Sequence, residues 1–480
     1  SICNYFLISF VLACIYIPNH CLSLKTNRRI TIGASLCGFV SGWEATTMFF
    51  LFPEIRDVLA SGDATDAAWI LTITGVISSS LLLQGGRLGE KYGYQNLYKW
   101  GILFFAFTNL LCALSPNLWF LIAFRGLTAV SLAIISPLAA AILVAKSTSD
   151  SENMALARVG IFVGVSGVAG PIVITLLIDS FSWRFGYFSQ IPIALLAAFL
   201  SWKDAEVPGR NIQRKIDFLD SALAVFAVAF LVFSLSKADE WGWLSINFLG
   251  TLVLSLSLTY VFLQRSKVSN DPQIPLPLFK RRKYRFTSFL AFTIACIFFS
   301  HWLVLLLYLT DIWNFGLIKA SVILTVMPGM VVLTSIPTGR MADKYGHFPV
   351  ILTGITVYTL GFLQFWIFAD EKESILCLLI TVTCAGFGMG TIWQLLSVSA
   401  SQNVQPDRIG SALAFVNSIQ RVGSAFGIAL AATLTFSESG QPTVALYQRG
   451  IAFIVIVALI SMLLTFGLRD NKDRAVKPVN

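Results

Sequence analysis

Charge is scarce in this 480-residue sequence: Asp, Glu, Lys and Arg make up 12% of it, against 56% hydrophobic residues. Soluble domains carry roughly 25% charged residues, so this chain has too little polar surface to face water on all sides. Sites for enzymatic chemistry are missing as well. There is no Gly-x-x-x-x-Gly-Lys-Ser/Thr phosphate loop, which argues against ATP-driven work on this chain. There is no His-Glu-x-x-His helix and no nucleophile elbow, and the longest polar connector, Arg265 to Tyr284, is only about twenty residues. The eight cysteines form no Cys-x-x-Cys pair and lie mostly in apolar runs, where they serve as small buried packers. No metal and no cofactor is expected. A membrane-embedded enzyme would gather several His, Asp or Glu at one depth, whereas the apolar runs offer only Glu44 and His301, far apart in the chain. No enzymatic activity is expected.

What the chain does have is apolar length. Fourteen runs reach the roughly 20 residues needed to cross a hydrocarbon core of about 30 Å. They lie near 30–53, 67–86, 97–115, 118–145, 155–179, 185–202, 218–237, 244–264, 286–310, 318–338, 348–369, 374–400, 408–435 and 447–468. Barrel strands would be about ten residues long with alternating polarity, so these runs are helices of an all-α integral membrane protein. The apolar stretch Tyr5 to Ile17 is too short for a span, and residues 1–29 are set aside as a signal-peptide core, an interfacial helix or artefactual sequence.

The basic residues orient the helices. With the first crossing running outward, 26 of the 34 Lys and Arg fall in cytoplasmic segments, six in external loops, and Arg125 and Arg421 within helices. That bias predicts cytoplasmic termini, with the plasma membrane preferred to vacuolar or other internal membranes. The net charge of +9 therefore reports topology. Nucleic acid is not an expected partner, because the densest basic cluster, Lys280 to Arg285, is a short connector between helices.

One phrase occurs twice. Gly86-Arg87-Leu88-Gly89-Glu90-Lys91-Tyr92-Gly93 returns as Gly339-Arg340-Met341-Ala342-Asp343-Lys344-Tyr345-Gly346, each copy where an apolar run ends and another soon begins. Two related halves are the architecture of secondary transporters. Six-plus-six helices would put six runs between the copies, but eight lie there, so runs 7 and 8 are an inserted pair. The expected divisions are an N-terminal segment 1–29, a six-helix bundle 30–202, linkers with the inserted helices 203–285, a second six-helix bundle 286–468 and a cytoplasmic tail 469–480. The glycines are expected to make a tight charged turn, and Glu90 and Asp343 can face the positive N-terminus of a neighbouring helix. Such a turn is a candidate latch for one conformational state.

From Arg29 to Arg469 the chain resembles the major facilitator superfamily, and within it the fourteen-helix drug:proton antiporter branch. The repeated phrase is similar to the superfamily loop motif G-x-L-x-D-[RK]-x-G-[RK], with Glu90 for the first aspartate and Tyr94 and His347 where a basic residue is usual. Helix 1 resembles L-D-x-T-x-x-x-x-x-x-P through Glu44, Thr46 and Pro53, and helix 4 keeps Arg125 of R-x-x-x-G. Helix 5 retains Gly170-Pro171 of G-x-x-x-G-P-x-x-G-G, with Ser166 at its first glycine and Ile174-Thr175 in place of its last pair. Gly160, Gly164, Gly167 and Gly170 form a stripe about 120° wide that admits another backbone. Trp183 to Pro192 resembles W-R-W-x-F-x-x-N-x-P, and Arg421, Gly423 and Gly427 belong to a segment similar to the branch's R-x-x-G-x-x-x-G helix. The resemblance implies a major facilitator fold of two pseudo-symmetric six-helix bundles plus two inserted helices, moving a small molecule against protons across the lipid bilayer.

The two charges can be placed by depth. Glu44 lies about 21 Å from the inner face and Arg125 about 10 Å from the outer face, so in a core of about 30 Å they can meet. A charge so deep marks function by default, and the pair is the candidate proton-coupling site, with a permanent structural ion pair as its alternative. His301, Trp302 and Arg421 are candidate substrate contacts, although a lone histidine there is more often a satisfied interior group. The sequence thus points to a monomeric, proton-coupled exporter of small organic, drug-like compounds working by alternating access. Uptake of a nutrient or metal chelate, and a transporter-like sensor, are the alternatives.

Overall fold

A computed structural model describes residues 28–60, 64–145, 152–202, 218–269, 276–401, 409–436 and 442–469, and among these there is no strand. The expectations for the N-terminal segment up to residue 27 and for the tail beyond 469 lie outside the described residues. The long helical segments are α1 (Arg28–Leu59), α2 (Trp69–Tyr92), α3 (Tyr94–Ala113), α4 (Leu118–Ala145), α5 (Glu152–Ser180), α6 (Arg184–Trp202, broken at Ser189) and α7 (Phe218–Ser236). They continue as α8 (Ile246–Val268), α9 (Arg282–Leu307), α10 (Leu317–Leu324, resumed as Val326–Tyr345), α11 (His347–Phe368), α12 (Ile375–Ser401), α13 (Ile409–Thr435) and α14 (Val444–Thr465). A helix thus stands at each expected run.

Not every one is a plain apolar span. Among the described residues eleven are long and apolar enough to cross a membrane, or twelve when α2, bent by 54° between Ser79 and Gln84, counts as one span. The other two, α1 and α3, are long enough but bury polar side chains, Glu44 and Thr47 near the middle of one, Thr108 and Asn109 in the last two turns of the other. Length and apolarity therefore do not establish fourteen crossings.

Helix packing repeats along the chain. In the first half α1 packs on α4, α5 and α6, α2 on α4, and α3 on α4 and α6. Eight helices later α9 packs on α12, α13 and α14, α10 on α12, and α11 on α12 and α14. The halves meet where α2 packs on α13 and α5 on α10, two seams that the same shift of eight interchanges. Helix α7 lies across one seam, touching both α2 and α13, and α8 packs on α7 alone among the long helices with which it makes extensive contact. Thr433 Oγ1 donates to the Leu235 carbonyl at 2.8 Å, and Arg265 Nε to Asp220 at 2.5 Å, fastening α13 to α7 and α8 to α7.

The repeated phrase proves to be mostly helix. α2 continues through it to Tyr92 and α10 to Tyr345, so the charges ride on final helical turns and the reversal rests on one glycine each. Gly93 has φ 88° and ψ 131°, and Gly346 has φ 85° and ψ 165°, a region closed to residues with a Cβ. The turn is shorter than the glycine-bracketed phrase suggests, because the helices run on through Gly86 and Gly339 to Tyr92 and Tyr345. The copies also differ: Arg87 is buried, while Arg340, Asp343 and Lys344 are exposed.

A Cβ at Gly346 or at Gly339 would meet nothing within 4 Å, so backbone conformation alone decides the effect of adding one. Gly346→Ala should lower stability by about 1–3 kcal/mol, and Gly339→Ala, inside α10, should raise it by about 0.5–1 kcal/mol. Thermal midpoints of the detergent-purified variants should shift in opposite directions; shifts of one sign would contradict the single-glycine turn.

Candidate functional site

The two charges expected at one depth do meet. Arg125 Nη1 of α4 donates to Glu44 Oε1 of α1, Nη2 donates to Thr74 Oγ1 of α2 at 2.8 Å, and Nε reaches the Ile70 carbonyl at 3.5 Å. The side chains of Arg125 and Glu44 are 1% and 3% exposed, so three helices are tied by one guanidinium out of reach of bulk water. Glu44 Oε2, by contrast, is buried with no hydrogen-bond partner.

Small residues bring α5 against this group. A Cβ at Gly170 would strike the side chain of Thr46, two residues past Glu44, and one at Gly42 would strike Ser166, the residue standing at the motif's first glycine. The remaining stripe serves the other half: a Cβ at Gly167 would lie 3.4 Å from Pro328, and one at Gly164 would lie 2.8 Å from Val332 of α10. Pro171 sits inside α5, and its carbonyl accepts from Thr175 Oγ1 at 2.8 Å. Thr175, which replaces a motif glycine, also lies 3.0 Å from Ser321 Oγ across the seam.

Glu44 and Arg125 line a cavity of about 60 Å³ between the halves, lined on its other side by Phe299, Arg421, Ser424 and Ile428. Arg421 enters it because α13 is wedged: virtual Cβ atoms on Gly423 and Gly427 lie against the α9 backbone, and one on Gly75 of α2 lies 2.9 Å from the Arg421 carbonyl. At 100° per residue Arg421 points well away from the α9-facing glycines. Its side chain is half-buried and makes no hydrogen bond or ion pair among the described residues.

The other two candidate substrate contacts lie elsewhere. His301 is buried inside the second half, its Nδ1 3.1 Å from Tyr358 Oη and its Nε2 2.8 Å from Met327 Sδ. Trp302 packs on Phe49 and Phe50 of α1 with centroids 6.1 and 6.0 Å away. Beyond them, on the side opposite the repeated phrases, Phe52 stacks on Phe436 at 6.3 Å and Arg56 grips Asp311 with two bonds of 2.7 and 3.2 Å. Tyr447 Oη donates to the same carboxylate at 2.7 Å. From the sequence, Arg56 reads only as one of the six external-loop charges. The signal for the pair is a base near the end of α1 and an acid just past the end of α9, at places the shift of eight relates.

Two repeated helix bundles enclosing a charged cavity at mid-depth define a membrane transporter rather than an enzyme. The chain belongs to the Major Facilitator Superfamily, whose family model matches residues 34–310 and 287–479. It is 24% identical over 412 residues to the multidrug transporter protein MdtP of Bacillus subtilis (strain 168), spanning 85% of this chain and 75% of that protein. It is 24% identical over 419 residues to the riboflavin transporter RibZ of Clostridioides difficile (strain 630), spanning 85% and 90%. The crystal structure of a D-xylose-proton symporter has the same fold, with a TM-score of 0.68 at 12% identity over 91% of this chain and 97% of that one.

Removing one partner of the Arg56–Asp311 pair leaves a sheltered charge unmatched, a loss of about 1–3 kcal/mol. In Asp311→Asn, spin labels at the exposed positions Val58 and Lys319 should show a longer-distance population enlarged at least about tenfold, and exchanging the two charges should restore the short distance. An unchanged distance distribution in Asp311→Asn would mean that the pair does not hold this side shut.

Proposed function

We propose that the chain is a proton-coupled secondary transporter of small organic compounds working by alternating access, with Glu44 as proton carrier and Arg125 as the group that tunes it. The observation behind this reading is the unequal state of the Glu44 carboxylate. One oxygen is held by Arg125, while the other is buried and without a partner at a cavity between two movable halves. A charge at that depth costs at least a few kcal/mol, so a movement that withdraws Arg125 makes protonation the cheaper way to neutralise the carboxylate.

The distribution of Lys and Arg places the repeated phrases and both termini in the cytoplasm. The conformation described is then closed to the outside through Arg56 and Asp311, and the exposed second copy of the phrase is a latch not engaged. Both halves of one chain complete the cavity, so the transporter is proposed to act as a monomer, in the plasma membrane. Export is supported by relatives bearing the names multidrug transporter protein MdtP and multidrug resistance protein Stp. Uptake is the second reading, and Arg421 favours it: in a cavity that is already positive, a proton on Glu44 and an anionic substrate assist each other's binding.

In sealed vesicles holding the full chain, a panel of organic compounds should include one that the wild type accumulates under an imposed proton gradient and that an uncoupler releases. Glu44→Gln should keep exchange of that compound across the membrane but lose gradient-driven accumulation at least about tenfold. Full accumulation by Glu44→Gln removes Glu44 from the carrier role, and indifference of the wild type to uncouplers removes proton coupling.

A further inference from the structure

The charges around the cavity do not balance. Glu44 is matched by Arg125, and Arg421 stands across from them without an ion-pair partner among the described residues. The cavity therefore carries one positive charge in excess when Glu44 is ionised and two when it is protonated. An organic cation entering it meets repulsion at every stage of a proton cycle. A bare guanidinium at mid-membrane is costly, and the cost is relieved by a counter-charge.

We propose that the compound carried through this cavity is an organic anion whose acidic group pairs with Arg421. The guanidinium presents a planar fork of N–H donors that matches a carboxylate with two parallel bonds. Met48, Phe49, Leu71, Phe299 and Ile428 supply apolar wall for the remainder of such a molecule. Ser424, one turn of chain away on α13, also lines the cavity, its hydroxyl donated to the Arg421 carbonyl at 2.8 Å. Proton and anion binding then favour each other, as in the uptake reading, because Glu44 is the acidic side chain lining the cavity and its neutralisation removes the charge that opposes the anion. This assignment rests on the proposed transport through the cavity, and it sets the substrate apart from the cationic compounds that an acidic site would select.

Benzoate, benzamide and benzylamine share one ring and differ in charge, and their effect on the thermal midpoint of the detergent-purified full chain tests the assignment. Millimolar benzoate should stabilise the wild type, while benzamide and benzylamine should not. Arg421→Gln should weaken the benzoate response at least about tenfold, Arg421→Lys should retain part of it, and Glu44→Gln should strengthen it several-fold. Equal stabilisation by benzamide or benzylamine, an unchanged response in Arg421→Gln, or no response to benzoate would overturn the proposal. So would an equal effect of chloride at the same concentration, which would make Arg421 the seat of an inorganic counter-ion. If Arg421→Gln fails to fold, the three probes on the wild type and on Arg421→Lys still decide. The measurement uses no gradient, so its failure leaves proton-driven accumulation standing, and failure of the Glu44 transport test leaves benzoate binding standing.

Discussion

The pairing of Glu44 with Arg125 sets the terms for the rest of the molecule. Neither charge is tolerable alone at that depth, and breaking a buried pair costs more than never having built it, because the surviving charge is left without water. The guanidinium is therefore also bonded to Thr74 and reaches Ile70, so that α1, α2 and α4 are positioned by one side chain. The same demand explains why α1 is a poor apolar span: its inner face is built for this charge and for close contact with α5 through Gly42 and Thr46, not for lipid.

Around that fixed group the halves have two related seams, but the seams are not equally free. Helix α7 covers the contact of α2 with α13, while α5 and α10 meet through the small or short groups at Gly164, Gly167 and Thr175. The inserted pair thus breaks the symmetry of the duplicated bundles. Aromatic packing between Phe49 and Trp302 and the grip of Arg56 on Asp311 close the same end of the molecule, one by burial and the other by charge.

Much of this was legible in the sequence because each signal had a single physical origin. Apolar length located the helices, the repeated phrase located the halves, and counting residues inward brought Glu44 and Arg125 to one level. Contacts across the halves were not legible, since they depend on which helix faces meet. Arg421 was visible as an oddity without an acid, but only the fold puts it across from Glu44. His301 and Trp302 are neighbours in sequence and point to different surroundings, one into the second half and one into the closed end. The repeated phrase misled in one respect: its glycines suggested a loop, whereas only Gly93 and Gly346 leave helical geometry.

The small cavity has a consequence for measured affinity. Ligand pockets for small organic molecules typically span about 300–1,000 Å³, several times the roughly 60 Å³ found here. In the conformation described, the cavity is thus smaller than a typical organic ligand requires. For a compound that enters only when the halves part, the apparent dissociation constant is the intrinsic one divided by the parted fraction. The affinity measured would then reflect both how tightly the empty protein holds itself together and how well the open site fits.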